Sequence, residues 1–210
     1  MLELFYSPGA CSLAPHIILE ELGLEFERHP VLIANGEQLS VEYLKVNPRG
    51  RVPALVVNGR VVTEVPAILT YLATLKPDAK LLPPYGSVAL ARALELVAWL
   101  SSTLHIAYAQ LWRPERFLPE GADSTALVAH ARTLIQGHNT EVEAWITGPW
   151  VLGSDYLIAD AYLLPFYRWG NRIGLAMAVE CPRWAAWTRR MLERPAVANT
   201  IRAEGITQFD

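Results

Sequence analysis

The residue most suited to chemistry in this chain is a cysteine that follows a proline-glycine turn. Cys11 lies in the segment Tyr6-Ser7-Pro8-Gly9-Ala10-Cys11-Ser12, where an extended run ends and an apolar helical pattern begins. The first N–H groups of a helix have no partner inside it, and the helix dipole is positive at this end. Both effects favour a thiolate over a thiol. We therefore expect this position to host a reactive sulfur or to bind the anion of a partner.

Two later segments add to this expectation. Val52-Pro53-Ala54-Leu55 places a proline in front of an apolar strand, and Thr63-Glu64 stands directly before a second helical pattern. Together with Cys11, these segments suggest a binding site for a thiol-containing peptide.

Composition narrows the function classes. The 210 residues are 52% hydrophobic and 19% charged, which is ordinary for a globular protein, and the net charge is −3. This charge balance argues against a nucleic-acid partner, and no apolar run approaches the length of a membrane span. Cys11 and Cys181 are the two cysteines and show no zinc-ligand spacing, so we expect neither a metal nor a disulfide scaffold. The expected compartment is the cytoplasm.

The first eighty residues alternate strand and helix patterns. Strands are predicted at 2–6, 26–32, 54–57 and 60–62, and helices at 13–22, 41–46 and from residue 65. Asn58-Gly59 between the last two strands is a strong hairpin signal, because both turn positions need a positive φ. The order βαβαββα predicts a small mixed sheet with helices on its faces.

From Ser87 onward the patterns are helical, and all seven tryptophans lie from Trp99 on. An apolar stripe predicts one long helix from about residue 87 to 112, and further helices are predicted near 124–145, 157–172 and from Pro182. We therefore predict an α/β domain at 1–80 and an all-α domain at 87–210, separated by Leu82-Pro83-Pro84-Tyr85-Gly86.

These motifs, in this order, resemble a bacterial beta-class glutathione transferase over nearly the whole chain. Besides the Cys11 segment they include Asn47-Pro48-Arg49-Gly50-Arg51-Val52-Pro53, Ile158-Ala159-Asp160-Ala161-Tyr162 and Arg194-Pro195-Ala196-Val197. The resemblance implies a thioredoxin-like N-terminal domain followed by a helical C-terminal domain, a homodimer, and glutathione as co-substrate.

The resemblance also implies residue roles. Val52 would precede a cis proline and pair its backbone N–H and C=O with the cysteinyl part of glutathione. Glu64 would accept the γ-glutamyl ammonium, and the Val65 N–H would bind the adjacent carboxylate. The glutathione-binding residues implied are Arg51, Val52, Pro53, Glu64 and Val65. The implied catalytic residues are Cys11, Tyr6, Ser12 and His105.

Several residues depart from the family pattern. Ile106 stands where a lysine usually follows the histidine, and the loop at 33–36 lacks the lysine expected to hold the glycyl carboxylate. Val65 replaces a serine or glycine, and Pro66 has no N–H to offer. These departures predict a weak affinity for glutathione.

Three functions are compatible with these residues. The first is conjugation of the glutathione thiolate to small hydrophobic electrophiles, as in detoxification. The second is a thiol-disulfide reductase or peroxidase that uses a mixed disulfide at Cys11. The third is a non-catalytic carrier of apolar ligands, or an interaction protein, on the same fold. The segment 112–117 either lines the electrophile pocket or is a solvated helix end, and His16, His29, His130 and His138 are expected to have no special role.

Overall fold

The computed structural model describes residues 1–207 and residue 209. A four-stranded sheet forms from the first part of the chain, with β1 at Leu2–Tyr6, β2 at Glu27–Pro30, β3 at Ala54–Val57 and β4 at Arg60–Thr63. The strand order is β2-β1-β3-β4, with β1 and β2 parallel and the other neighbours antiparallel. The predicted mixed sheet is confirmed. The edge strand β2 is shorter than predicted and ends at Pro30, although the Val31 N–H still donates to the Tyr6 carbonyl at 2.7 Å.

The hairpin between β3 and β4 is also confirmed. Asn58 and Gly59 both have a positive φ, of 49° and 79°, as the tightest two-residue turn requires.

Side chains of the central strand β1 alternate between the two faces of the sheet. Leu4 and Tyr6 are buried against α1 (Leu13–Glu21) and α3 (Val65–Leu75) in the main core. Phe5 points to the opposite face and packs near Tyr43 of α2 (Val41–Val46), with their ring centroids 5.8 Å apart. This two-sided coverage is the layered arrangement that the βαβαββα order predicts.

The second part of the chain is helical. Its helices are α4 (Val88–Trp99), α5 (His105–Trp112), α6 (Thr125–Trp145), α7 (Ile158–Arg172), α8 (Met177–Glu180), α9 (Pro182–Leu192) and α10 (Pro195–Glu204). The short α8 and the final α10 were not predicted. A thioredoxin-like first part followed by a helical second part is confirmed, while the boundaries 1–80 and 87–210 stay a prediction.

The predicted long helix at 87–112 contains one irregular turn. Residues Leu100–Leu104 form a π-helical segment, in which the His105 N–H bonds to the Leu100 carbonyl rather than to the carbonyl one residue later. The chain stays helical through this segment from Val88 to Trp112, as predicted, although a regular apolar stripe does not reveal one widened turn. The π segment sets the direction in which α5 presents His105.

Helix α7 lies at the centre of the molecule. Every residue from Ile158 to Gly170 is buried, and the helix packs against α1 as well as against its own neighbours. Its start is fixed by Asp160, whose carboxylate accepts hydrogen bonds from the Val151 and Leu157 N–H groups and from the Trp187 indole, each at 2.9 Å. Helix α7 thus packs the helical second part of the chain against α1, the helix that begins just after Cys11.

Among the described residues, none of the helices combines the length and the apolar character needed to cross a bilayer.

Candidate functional site

The Cys11 turn, which we define as residues 7–12, is closed by two serines. The Ser7 N–H donates to the Ser12 hydroxyl oxygen at 3.0 Å, and that hydroxyl donates back to the Ser7 carbonyl at 3.1 Å. Ser12 is fully buried. Since both hydrogen-bonding functions of the Ser12 hydroxyl are used inside the turn, this residue positions Cys11 at the start of α1.

The Cys11 thiol lies 3.5 Å from the Val52 carbonyl oxygen, to which it donates. Burial raises its pKa to about 12, although the N–H groups of Cys11 and Ser12 act in the opposite direction. The expected Cys11 thiolate is therefore wrong for the free protein. The loss of hydration outweighs the favourable helix terminus, because the sulfur is almost entirely removed from water.

The backbone at Val52 is held in place by the preceding residue. The Arg51 carbonyl accepts two hydrogen bonds of 2.6 Å, from the Tyr43 hydroxyl and from the side-chain amide of Asn47. The Val52-Pro53 peptide bond is cis, as expected. The Val52 N–H forms no hydrogen bond within 1–207 or with residue 209, so it is available to a ligand backbone.

Glu64 stands at the N-terminus of α3 with a φ of +70°, a backbone conformation that residues other than glycine rarely adopt. Its side chain is 65% exposed, with the carboxylate 3.9 Å from the Arg49 guanidinium. The next N–H, that of Val65, has no hydrogen-bond partner in the described part of the chain. The Glu64 charge also raises the pKa of Cys11, so the third segment lies within electrostatic range of the sulfur.

Tyr6 occupies a different environment from the one expected. Its ring packs against His16 with centroids 5.2 Å apart, and burial followed by the Glu204 charge raises the pKa of its hydroxyl. His16 in turn bonds to Glu204 at 2.7 Å, and both side chains are fully buried. His16 therefore has a structural role and joins α1 to α10. These contacts give Tyr6 a packing role and do not support a catalytic one.

Gly9 connects the Cys11 turn to the end of the chain. Its N–H donates to Glu204 at 2.8 Å, and its carbonyl accepts from the Trp169 indole at 2.8 Å and from Arg168 at 3.3 Å. Its φ is +67°, and a Cβ here would lie 2.4 Å from the Arg168 guanidinium. Glycine is required because of the backbone conformation and because of this close approach.

Sequence reasoning missed the residues that hold the two backbone segments. Asn47 stands next to Pro48, where a turn is expected. Asparagine side chains often bond to the backbone in such turns, so this position could have pointed to the buried Asn47 amide. Nothing in the sequence links Glu204 to Gly9, because 195 positions separate them.

His105 begins α5 and packs against aromatic rings. Its ring centroid lies 5.2 Å from that of Trp169 and 6.0 Å from that of Phe166. Burial, and then the charges of Arg116 and Arg51, lower the pKa of His105 to about 4. The imidazole is therefore neutral near pH 7. It reaches the Cys11 turn through Trp169, the residue that also holds the Gly9 carbonyl.

One group of possible metal ligands exists away from this site. The His29 Nε2 lies 3.2 Å from a Glu3 oxygen and 3.6 Å from a Glu27 oxygen on the paired strands β1 and β2. His29 was expected to have no special role, and the pairing of β1 with β2 places Glu3 beside it as well as its near neighbour Glu27. All three side chains are partly exposed, and the His29 imidazole lies within ion-pairing distance of both carboxylates.

Comparisons with known proteins agree with this geometry. The family model described as "Glutathione S-transferase, N-terminal domain" matches residues 9–75. Glutathione S-transferase GstA of Escherichia coli O157:H7 is 37% identical over 98% of this chain and 100% of its own length. A glutathione transferase homolog from Sulfitobacter, solved with bound glutathione, is 32% identical with a TM-score of 0.92, covering 99% of both chains.

A further solved structure, the bacterial beta class glutathione S-transferase of Sphingomonas chungbukensis, is 35% identical with a TM-score of 0.86 over 98% of this chain and 100% of that chain. Sequence identity of this level over almost the full length of both chains, together with the same fold, shows more than that the proteins share one type of domain. This chain belongs to the glutathione S-transferase family, and its resemblance to the bacterial beta-class members is confirmed.

Proposed function

We propose that this protein conjugates the thiolate of glutathione to small hydrophobic electrophiles. The observation that carries the proposal is the meeting of the Cys11 thiol with the Val52 carbonyl at 3.5 Å, with Glu64 in electrostatic range. Three segments far apart in sequence thereby form one surface that suits an extended thiol peptide. Relatives named as glutathione S-transferases support the same activity.

The binding roles follow from the free backbone groups. The Val52 N–H and C=O pair with the cysteinyl backbone of glutathione, as an added strand would. Glu64 accepts the γ-glutamyl ammonium, while the Val65 N–H and the dipole of α3 bind the γ-glutamyl carboxylate. Arg51 lies beside the glycyl end. When the Val52 carbonyl pairs with glutathione, the Cys11 S–H turns from it to the glutathione sulfur.

The reaction needs a thiolate on glutathione rather than on the protein. The glutathione thiol loses its proton to solvent, and the N-terminus of α1 and the Cys11 S–H stabilise the anion. The sulfur then forms a bond to the electrophilic carbon, and the leaving group departs with its electron pair. We give His105 a positioning role, because an imidazole with a pKa of about 4 is a weak base for a thiol.

The same pKa argument separates this function from disulfide reduction. A mixed disulfide at Cys11 needs its thiolate as the attacking group, and a pKa of about 12 leaves almost none at neutral pH. We therefore favour Cys11 as a neutral hydrogen-bond donor over the reductase or peroxidase function. The carrier or interaction function uses the same fold to bind apolar ligands or partners, with little turnover.

Assembly and location are part of the proposal. We expect a homodimer, and the exposed apolar side chains of Val88 and Leu94 on α4 and of Val61 on β4 are available to such an interface. We expect a cytoplasmic protein that acts in detoxification. Both cysteines are free thiols, which suits a reducing compartment.

The test combines binding with turnover. Calorimetry should show glutathione binding, and an absorbance assay with a chloronitrobenzene should show conjugation above the uncatalysed rate. Cys11→Ala should retain conjugation within about tenfold, because a single weak hydrogen bond is lost, and Cys181→Ala is the matched control. Absence of binding at millimolar glutathione would refute both the transferase and the reductase or peroxidase. Binding without turnover would leave the carrier.

A further inference from the structure

Two arginines after α5 suggest the chemistry of the second substrate, an inference that rests on the proposed transferase function. Arg113 and Arg116 lie in the turn that follows α5, and Arg51 lies directly before Val52. None of the three guanidinium groups forms an ion pair or a hydrogen bond with the residues that the structure describes. Arg194, by contrast, pairs with Glu21 at 2.6 Å.

Arg113 and Arg116 lie in one tight turn, in which the Arg116 N–H donates to the Arg113 carbonyl at 3.1 Å. The pKa of Arg116 is lowered by burial and then by Arg51 and Arg113, while Glu115 acts in the opposite direction. The charges of Arg116 and Arg51 also act on His105 at the start of α5. Glu115 offsets part of this positive charge, and an anionic ligand relieves the rest.

Glutathione accounts for one of these charges. Its glycyl carboxylate leaves the Val52 pairing site beside Arg51, the nearest of the three in sequence. Arg113 and Arg116 then remain, offset in part by Glu115. This leaves a net positive charge on the side of the site that belongs to the second part of the chain, where the acceptor has to bind.

Aromatic surface stands next to these two arginines. Trp112 and Phe117 flank the turn and are 38% and 37% exposed. The Trp112 ring packs edge-on against Trp169 with centroids 5.3 Å apart, and Trp169 donates to the Gly9 carbonyl. The apolar part of an acceptor that packs on Trp112 is therefore separated from the Cys11 turn by the side chains of Trp112 and Trp169.

We propose that the preferred acceptor of this enzyme is an aromatic electrophile that carries an anionic group, such as a carboxylate, bound by Arg113 and Arg116. In a representative reaction, 4-chloro-3-nitrobenzoate and glutathione give the aryl thioether, chloride and a proton. The C–S bond forms as the C–Cl bond breaks, chloride leaves with the electron pair, and the thiol proton passes to solvent.

The experiment compares 4-chloro-3-nitrobenzoate with 4-chloro-3-nitrobenzamide, a neutral acceptor of the same size. For each, kcat/KM is divided by the uncatalysed second-order rate with glutathione, which removes the difference in intrinsic reactivity. We expect the benzoate to be favoured about tenfold, the effect of one charge-assisted contact. The double variant Arg113→Gln/Arg116→Gln should abolish this preference, with the loss in KM, and leave the benzamide rate within about twofold. Arg189→Gln, an exposed arginine on α9, is the control.

Two outcomes overturn the inference while leaving the transferase intact. One is an equal preference for the two acceptors in the unmodified protein. The other is a double variant that weakens glutathione but not its glycyl ethyl ester, which would assign both arginines to the glycyl carboxylate. If neither acceptor reacts, calorimetry with the two finished conjugates decides, because tighter binding of the carboxylate conjugate supports the inference and equal binding refutes it. Failure of glutathione itself to bind refutes the proposed function instead.

Discussion

Glu64 allows the stability of the fold and the affinity of the site to be changed separately. With a φ of +70°, it occupies a conformation that costs a residue with a side chain about 1–3 kcal/mol. Glycine removes this cost but gains about 0.4–1 kcal/mol of extra freedom in the unfolded chain. Glu64→Gly should therefore stabilise the protein by about 1 kcal/mol, which corresponds to roughly 2–4 °C in Tm for a chain of this size.

The same substitution should weaken glutathione binding. A charge-assisted contact to the γ-glutamyl ammonium is worth about 1.5–3 kcal/mol, so the Kd should rise about 10- to 100-fold. Glu64→Gln is the matched control, because it removes the charge but keeps the side chain and the φ of +70°. The exposed ion pair with Arg49, at 3.9 Å, is lost in both variants and cancels in the comparison.

The assay is urea unfolding together with calorimetric titration of glutathione. The two variants should share the loss of affinity, and the glycine variant alone should gain stability. Lys80→Gly, at a second non-glycine residue with a positive φ, of 52°, should add stability without changing the Kd. If Glu64→Gly is no more stable than Glu64→Gln, backbone strain at this residue is refuted. If both variants bind glutathione normally, its role in binding is refuted.

Three further predictions concern the Cys11 turn and its neighbours. Gly9→Ala should cost more stability than Gly23→Ala in urea unfolding, because both have a positive φ but only the Gly9 Cβ meets Arg168, at 2.4 Å; equal costs would refute the steric reason. Alkylation of Cys11 by iodoacetamide should stay slow up to about pH 10, since burial raises its pKa to about 12; fast reaction at pH 8 would contradict this. The pKa of His105 is lowered to about 4 in the folded protein, whereas it is about 6.5 in an unfolded chain. Between pH 6.5 and pH 4 the unfolded chain therefore binds a proton at His105 that the folded protein does not, and the free energy of unfolding should fall as the pH drops through this range. His105→Gln should lessen this fall, and an unchanged pH profile would refute the assignment.

The sequence was sufficient for the parts of the fold that depend on local pattern. Alternation in β1, the Asn58-Gly59 turn and the helical spacing of α1 each follow from neighbouring residues, and each is confirmed. The π segment before His105 escaped prediction because one widened turn leaves the apolar stripe nearly unchanged. Helix α10 escaped because its pattern is short, although Pro195 at its start was visible.

The candidate site divides in the same way. Cys11, Val52 and Glu64 were found because each stands at a boundary between elements, where the sequence pattern changes. The protonation of Cys11 was predicted incorrectly, since the helix terminus is readable from sequence whereas the burial of the sulfur depends on residues packed from elsewhere. The surroundings of Tyr6 and His16 could not be predicted, because Glu204, which acts on both, is far from them in sequence.

The hydrogen bonds of Gly9 to Glu204 and Trp169 also bear on the synthesis of the protein. A nascent chain emerging from the ribosome has its thiol, its proline loop and its acidic helix start long before residue 204 has been translated. Trp169 belongs to α7 and Glu204 to α10, so until α10 docks the Gly9 N–H lacks its carboxylate partner even if its carbonyl is already held. The Cys11 turn therefore acquires its full set of contacts only after residue 204 has been made.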